Sequence, residues 1–195
     1  MPLSEWRRFY DETIRDPVGH DLYARREFFD LWSLAGDHSV LQQVQEHILA
    51  ELRDHEMVIT LLAHDTLAHL PSFTFFRGLV LNLDGGQQDS FDIASAAIAP
   101  IADAARVFTM AKQRLAPANT LERLQTAIAD FPAGGPILRD AAEAFRIALY
   151  YQTLAGSSRI EPGKLGRFDQ RLLKTVFSSI QRLLEFTAST FLSST

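Results

Sequence analysis

The sequence predicts a mainly α protein: an antiparallel bundle of four helices, preceded by further helices and a short β-hairpin. Three observations lead there. From about residue 95 onward, apolar residues recur every three or four positions, the spacing of one helix face. The breaks between these stripes are short and rich in Pro, Gly and Ser. Upstream, the run Phe73 to Leu83 is followed by Asp84-Gly85-Gly86 and then Asp89 to Ile93, the pattern of a hairpin.

Residues 4 to 16 read as a helix with Ser4 as N-cap, because Trp6, Tyr10 and Ile14 stand four apart. Asp16-Pro17 ends it, since the residue before proline avoids the helical region. A short helical piece, Asp21 to Arg26, follows. Glu27 to Leu34, EFFDLWSL, is rich enough in aromatic and apolar residues to read as a strand, closed by Ala35-Gly36-Asp37. From Asp37 or Ser39 a helical stripe runs through Leu41, Val44, Ile48 and Leu52, and continues through Met57, Leu61 and Leu62 to Leu70. Asp54-His55-Glu56 marks either a break in that helix or an exposed turn of it.

The bundle helices come next. The first spans 96 to 115, with Ile98, Ile101, Ala105 and Phe108 inward and Pro100 in its first turn, where a missing N–H costs nothing. Asn119 caps the second, with Glu122 in a capping-box position, and Leu121, Leu124 and Ile128 carry it to Phe131. After a loop at Pro132 to Pro136, the third runs from Ile137 to Ala155, and the fourth from about Lys164 to Leu192. The chain divides accordingly into 1–37, a connecting helix and hairpin at 38–94, and the bundle at 95–195. The strand at 27–34 has no obvious partner nearby, and a lone strand is not a sheet. Either the hairpin at 73–93 supplies partners, or the strand is a remnant of a larger domain, as in a chain whose Met1 is an internal start.

Composition narrows the function. With 47% hydrophobic and 22% charged residues, the 195-residue chain can bury one sizeable core. A formal net charge of -5 argues against a nucleic-acid-coating surface. The absence of cysteine excludes disulfides, Cys-based zinc sites and thiol nucleophiles. No secretory leader is visible in MPLSEWRRFYDE, and no window approaches the roughly 20 apolar residues of a membrane span. A cytoplasmic protein that contacts neither nucleic acid nor membrane is expected.

Polar residues recur at set points of the apolar frame. Phe91-Asp92-Ile93 precedes the first bundle helix, which carries Pro100-Ile101, Asp103 and Arg106. Asn119-Thr120 and Arg123-Leu124 follow, then Arg146 and Gln152, Pro162 and Leu165, Leu173-Lys174, Phe177, Gln181 and Phe186. In this order and spacing, over roughly residues 5 to 190, the chain resembles a bacterial nucleotidyltransferase family related to the uridylyltransferase that modifies the PII signal-transduction protein. The resemblance is to the helical substrate-binding domain of that family, which often stands downstream of cyclic-nucleotide-binding and CBS domains. Phe28-Phe29-Asp30-Leu31 with Ala35-Gly36-Asp37 resembles the strand that closes its nucleotidyltransferase domain, except that Trp32 stands where the family has arginine.

The departure from the family is large. Its catalytic domain needs a Gly-Ser turn for the triphosphate and, about ten residues on, an Asp-x-Asp or Asp-x-Glu pair. That pair holds two metal ions, which align the attacking oxygen and neutralise the leaving phosphate. The only Gly-Ser here is Gly156-Ser157, followed by Asp169-Gln170-Arg171 rather than a carboxylate pair. Asp54-His55-Glu56 has the right letters but no Gly-Ser ahead of it. The resemblance therefore implies a substrate-binding or regulatory part that does not catalyse alone. Mg²⁺ and a nucleoside triphosphate belong to the complete enzyme, and the implied partner is a protein acceptor or a catalytic domain or subunit. The alternative is a free-standing helical interaction or dimerisation module with a vestigial groove.

Within this reading Asp30 is a candidate third catalytic carboxylate, or simply a strand-end acid. Arg77, Asp92, Asp103, Arg106, Arg123, Arg146 and Lys174 could line a groove for a phosphate-bearing or acidic substrate, with the arginines as bidentate clamps. Caps and inter-helix ion pairs use the same residue types, and Asp103 with Arg106 is an ordinary i,i+3 pair. His64-Asp65 lacks the companions of a phosphohydrolase site, and His55, His64 and His69 do not share the i,i+4 spacing of a helical zinc site. Gly85-Gly86 and Gly134-Gly135 lack the Lys-Ser/Thr sequel of a phosphate loop.

Overall fold

The computed structural model describes residues 2–68 and 90–192. The expected strand at 73–83, and with it the expected hairpin, lies outside the described residues. The described fold is mainly helical, with α1 (Leu3–Arg15), α2 (Leu22–Arg25), α3 (His38–Asp54) and α4 (Met57–Ala68) in the front half. The back half contains α5 (Ala99–Met110), α6 (Thr120–Asp130), α7 (Gly135–Ala155) and α8 (Arg167–Phe191).

α1 starts after Pro2 with no side-chain cap, so Ser4 lies inside the helix rather than at its boundary. The helix buries Tyr10, Thr13 and Ile14 and packs on α3. That pairing is held at the surface as well: Arg15 clamps the Glu51 carboxylate with Nε at 2.9 Å and Nη2 at 2.8 Å. The aspartate expected to end α1 does so, and Asp21 then caps α2 by accepting from the Ala24 N–H at 3.1 Å. Asp37 caps α3 in the same way, accepting from the Ser39 N–H at 2.8 Å. The long helical stripe breaks at His55, and α4 begins two residues later. Met57, expected on the buried stripe, is exposed at that restart.

The strand expected over Glu27–Leu34 is absent. Arg26–Phe29 forms a 3₁₀ turn and the following residues run irregularly to Asp37. A strand must pair its backbone groups with a neighbour, and no described residue pairs with this segment. Side chains fix it instead: Phe29 is buried against Tyr10, with ring centroids 5.6 Å apart, and Phe28 rests half-exposed on Phe9, while Trp32 and Leu34 are exposed. The Tyr10 hydroxyl donates to the Phe28 carbonyl.

The bundle half follows the sequence closely. Phe91–Asp92 (β1) is extended, and its antiparallel partner among the described residues is Arg159–Ile160 (β2), in the connection between the third and fourth bundle helices. The pairing sets Phe91 opposite Ile160 and Asp92 opposite Arg159. A π-helical turn, Ala94–Ile98, leads into α5, and Pro100 occupies the first turn of that helix. Asn119 caps α6, accepting from the N–H groups of Leu121 at 2.9 Å and Glu122 at 3.3 Å. α7 begins at Gly135, so Pro136 opens the helix instead of closing a loop, the position where proline is tolerated best.

Two apolar cores result, and α5 belongs to both. Ile101, Ala104, Ala105 and Phe108 face the bundle core, with Leu124, Leu138, Phe145, Phe177 and Ile180. Val107 and Met110 face the front core, with Tyr10, Ile14, Phe29, Ile48, Leu52 and Leu62. The helix therefore has almost no solvent side: every residue from Asp103 to Met110 is buried.

Candidate functional site

Burying a helix that carries Asp103 and Arg106 demands partners for both, because an unpaired buried charge is expensive. The partners come from the front segment and from α6. Arg106 clamps Asp30 with Nε at 2.9 Å from Oδ1 and Nη2 at 2.7 Å from Oδ2. Its remaining arm, Nη1, donates to Asp103 at 2.6 Å. Arg26, one turn ahead of Asp30, donates from Nε to the same Asp103 oxygen at 2.8 Å and lies over the Tyr23 ring, 3.8 Å from its centroid. Arg123 reaches in from α6 with Nη1 at 2.5 Å from Asp30 Oδ1. Its other nitrogens donate to the carbonyls of Pro117 at 2.7 Å and Leu115 at 3.3 Å.

Three guanidinium groups thus face two carboxylates, an excess of one positive charge in a mostly buried cluster. The Arg123 side chain is 1% exposed and that of Asp30 28%. Burial pushes the Asp30 carboxyl up, but the hydrogen bonds and charges of Arg106 and Arg123 outweigh it and hold Asp30 below the ordinary carboxylate range. Chemically, the arrangement keeps Asp30 ionised, with three of its roughly four acceptor positions taken. A divalent cation at the remaining position would sit against two guanidinium groups, and Asp103, the other carboxylate of the cluster, is itself held by two arginines.

The residues expected to line one groove are distributed over several places. Asp103, Arg106 and Arg123 meet in the cluster, together with Asp30. Asp92 caps the turn into α5, accepting from the Ala94 N–H at 2.8 Å and the Ser95 N–H at 3.1 Å, and receives the Ser158 hydroxyl at 3.1 Å. Arg146 lies on the exposed side of α7, paired with Glu143 at 2.5 Å. Lys174 lines an open groove of about 480 Å³ between α7 and α8, together with Asp140, Glu143, Thr175 and Arg182. Arg77 lies outside the described residues. His64 is exposed on α4, its Nδ1 3.4 Å from Asp65.

The sequence reading missed Arg26, Asp140 and Arg182. Arg26 was hidden by the strand assignment, since only a helical turn brings it beside Asp30. Arg182 and Asp140 bond across α7 and α8 at 2.9 Å, a pairing of residues 42 apart that no local spacing announces.

A family model described as "Putative nucleotidyltransferase substrate binding domain" matches residues 56–191. The chain belongs to that family. No curated protein and no solved structure matches the chain. Within the nucleotidyltransferase substrate-binding family span lie α4 to α8, the whole α7–α8 groove, and Asp103, Arg106 and Arg123. Arg26 and Asp30 precede it. The ion cluster therefore ties the family domain to the segment upstream of it.

Proposed function

We propose that this chain is the acceptor-binding and regulatory part of a uridylyl- or adenylyltransferase-like system. It presents an acceptor to a catalytic nucleotidyltransferase domain, where Mg²⁺ and the nucleotide are bound. The observation that carries this reading is membership of the substrate-binding family over residues 56–191, joined to an open groove of mixed polar and apolar lining within that span. The groove has the size range of a ligand site and offers both signs of charge, Lys174 and Arg182 against Asp140 and Glu143, above an apolar floor of Ile147 and Val176. Such a lining suits a protein side chain with its flanking backbone better than a bare triphosphate, which would meet two carboxylates.

The catalytic division of labour is supported by Asp30, whose two oxygens take three bonds from arginines that would repel a metal ion. In this reading Asp30 is a positioning residue. Beside it, Trp32 is 72% exposed and Leu34 94% exposed, in the segment that resembles the end of a nucleotidyltransferase domain. These side chains form the surface on which the catalytic domain rests.

A thermal-shift titration with ATP, UTP, CTP and GTP, each with and without Mg²⁺, tests the division. A ligand at a hundred times its dissociation constant stabilises by about 2.7 kcal/mol, so a usable site would be visible. No Mg²⁺-dependent shift is expected with any nucleotide. A nucleotide-specific, Mg²⁺-dependent shift would place the triphosphate site in this chain and overturn the reading. The same exposed apolar residues favour one alternative, a dimerising interaction module. Sedimentation equilibrium separates the two: self-association of the chain that Trp32→Ser abolishes would support the module.

A further inference from the structure

α1 and α3 pack side by side in the front half, upstream of the family match. Each offers acids or bases at i,i+4 spacing on its facing side: Asp11 and Arg15 from α1, His47 and Glu51 from α3. Asp11, His47 and Glu51 form the one group of three metal-capable side chains among the described residues, with ligand atoms all within 4.8 Å of one another. His47 Nε2 lies 2.7 Å from Asp11 Oδ1. All three are partly buried and stand on rigid helices rather than on loops, which fixes ligand positions closely.

We propose that Asp11, His47 and Glu51 form a site for a first-row divalent transition ion that clips α1 to α3. One imidazole and two carboxylates form a mixed nitrogen and oxygen set, which suits Zn²⁺ or Co²⁺; the imidazole is a poor ligand for Mg²⁺ or Ca²⁺. Ligand bonds of about 2.0–2.2 Å to a tetrahedral ion place the ligand atoms roughly 3.5 Å apart. From the present spacings, His47 and Asp11 must open by under about 1 Å and the wider pairs, none beyond 4.8 Å, must close by up to about 1.3 Å, which side-chain rotation on fixed helices can supply.

Arg15 lies against both carboxylates, bonded to Glu51 and with Nη2 3.9 Å from Asp11 Oδ1, so the ion must approach from the side away from the guanidinium. Arg15 takes one lone pair on each Glu51 oxygen, and a carboxylate has about four such positions, so a metal can share the group. In that role Arg15 orients a ligand, as outer partners of metal-bound carboxylates do. Binding exchanges the His47–Asp11 hydrogen bond for metal ligation. It requires the imidazole with its proton on Nδ1 and its Nε2 lone pair toward the ion. His55 is the other titratable group at this face, with Nδ1 3.9 Å from Glu51 Oε2 and 2.9 Å from the Glu51 carbonyl oxygen.

The test uses the full chain without an affinity tag, freed of metal by chelator and dialysis, and titrated with Co²⁺ and then Zn²⁺. One Co²⁺ per chain with visible d–d absorption is expected, displaced by Zn²⁺, together with a rise in melting temperature. His47→Gln and Asp11→Asn each remove the saturable phase, and His64→Ala leaves it intact. Paramagnetic Co²⁺ also broadens the His47 ring signals of the unaltered chain, a readout that needs no variant to fold. Absence of stoichiometric binding would mean that the three residues form interhelical ion pairs only. Binding that survives both substitutions, or that leaves the His47 ring signals sharp, would place the ion on surface histidines. Either result overturns the proposal.

Discussion

Asp30 carries three charge-assisted hydrogen bonds from two arginines, so its removal leaves Arg106 and Arg123 facing each other with one carboxylate fewer between them. Breaking a buried pair by deleting one partner costs about 3–5 kcal/mol, and Asp30→Asn is expected near the lower figure because Asp30 is partly exposed. Urea denaturation measures it. The pH dependence follows from the sign of the shift. Asp30 titrates below its ordinary value of about 3.9, so its contribution is complete above that pH and is lost as pH falls below it. Acid titration of the wild type should therefore show a loss below about pH 4 that Asp30→Asn has already suffered. An unchanged acid profile in the variant would contradict this account. At Gly134 the constraint is steric: a Cβ there would sit 2.1 Å from the Phe186 ring, which stacks on Phe108 at 5.3 Å. Gly134→Ala should cost about 1–3 kcal/mol by overpacking, and Phe186→Leu in the same chain should relieve part of that cost in a double-mutant cycle.

Among the elements, α6 gives the cleanest prediction. Asn119→Ala removes the acceptor for two N–H groups and should lower stability by about 1 kcal/mol, whereas Asn119→Asp should be nearly neutral. The four bundle helices were legible because each carries a stripe, a cap or a proline at a position with one physical meaning. Asn119 and Pro100 could be read alone. The segment at 27–34 could not, because β-rich composition states what a pleated surface would accept and not whether a neighbour exists to pair with it. Among the described residues Phe91–Asp92 pairs with Arg159–Ile160, across three helices, and pairing between segments so far apart leaves no local trace. The ion cluster was half visible. Asp103, Arg106 and Arg123 were singled out by residue type, but their convergence on Asp30 depends on the 3₁₀ turn that the strand reading excluded.

At the scale of the molecule, the family span begins at residue 56, where α3 has just ended, yet the packing does not divide there. Tyr10, Ile48 and Leu52 share a core with Val107 and Met110, and Arg26 and Asp30 pair with the buried charges of α5 and α6. Residues 56–195 produced alone should consequently expose Val107, Met110 and Leu115, bind a hydrophobic dye and melt below the full chain. A stable, dye-free fragment would show that the bundle folds without its front. In the intact chain both cores should unfold in one transition, seen as coincident melting by near- and far-ultraviolet circular dichroism. The lack of a solvent side on α5 also bears on how this sequence can change over generations. A surface helix drifts freely on its wet side, but a substitution between Asp103 and Met110 must satisfy two cores or a charge cluster at once. In a saturation library selected for folded protein, that octet should be the stretch where the fewest alternatives survive, while the outer face of α7 around Arg146 and Tyr150 diversifies.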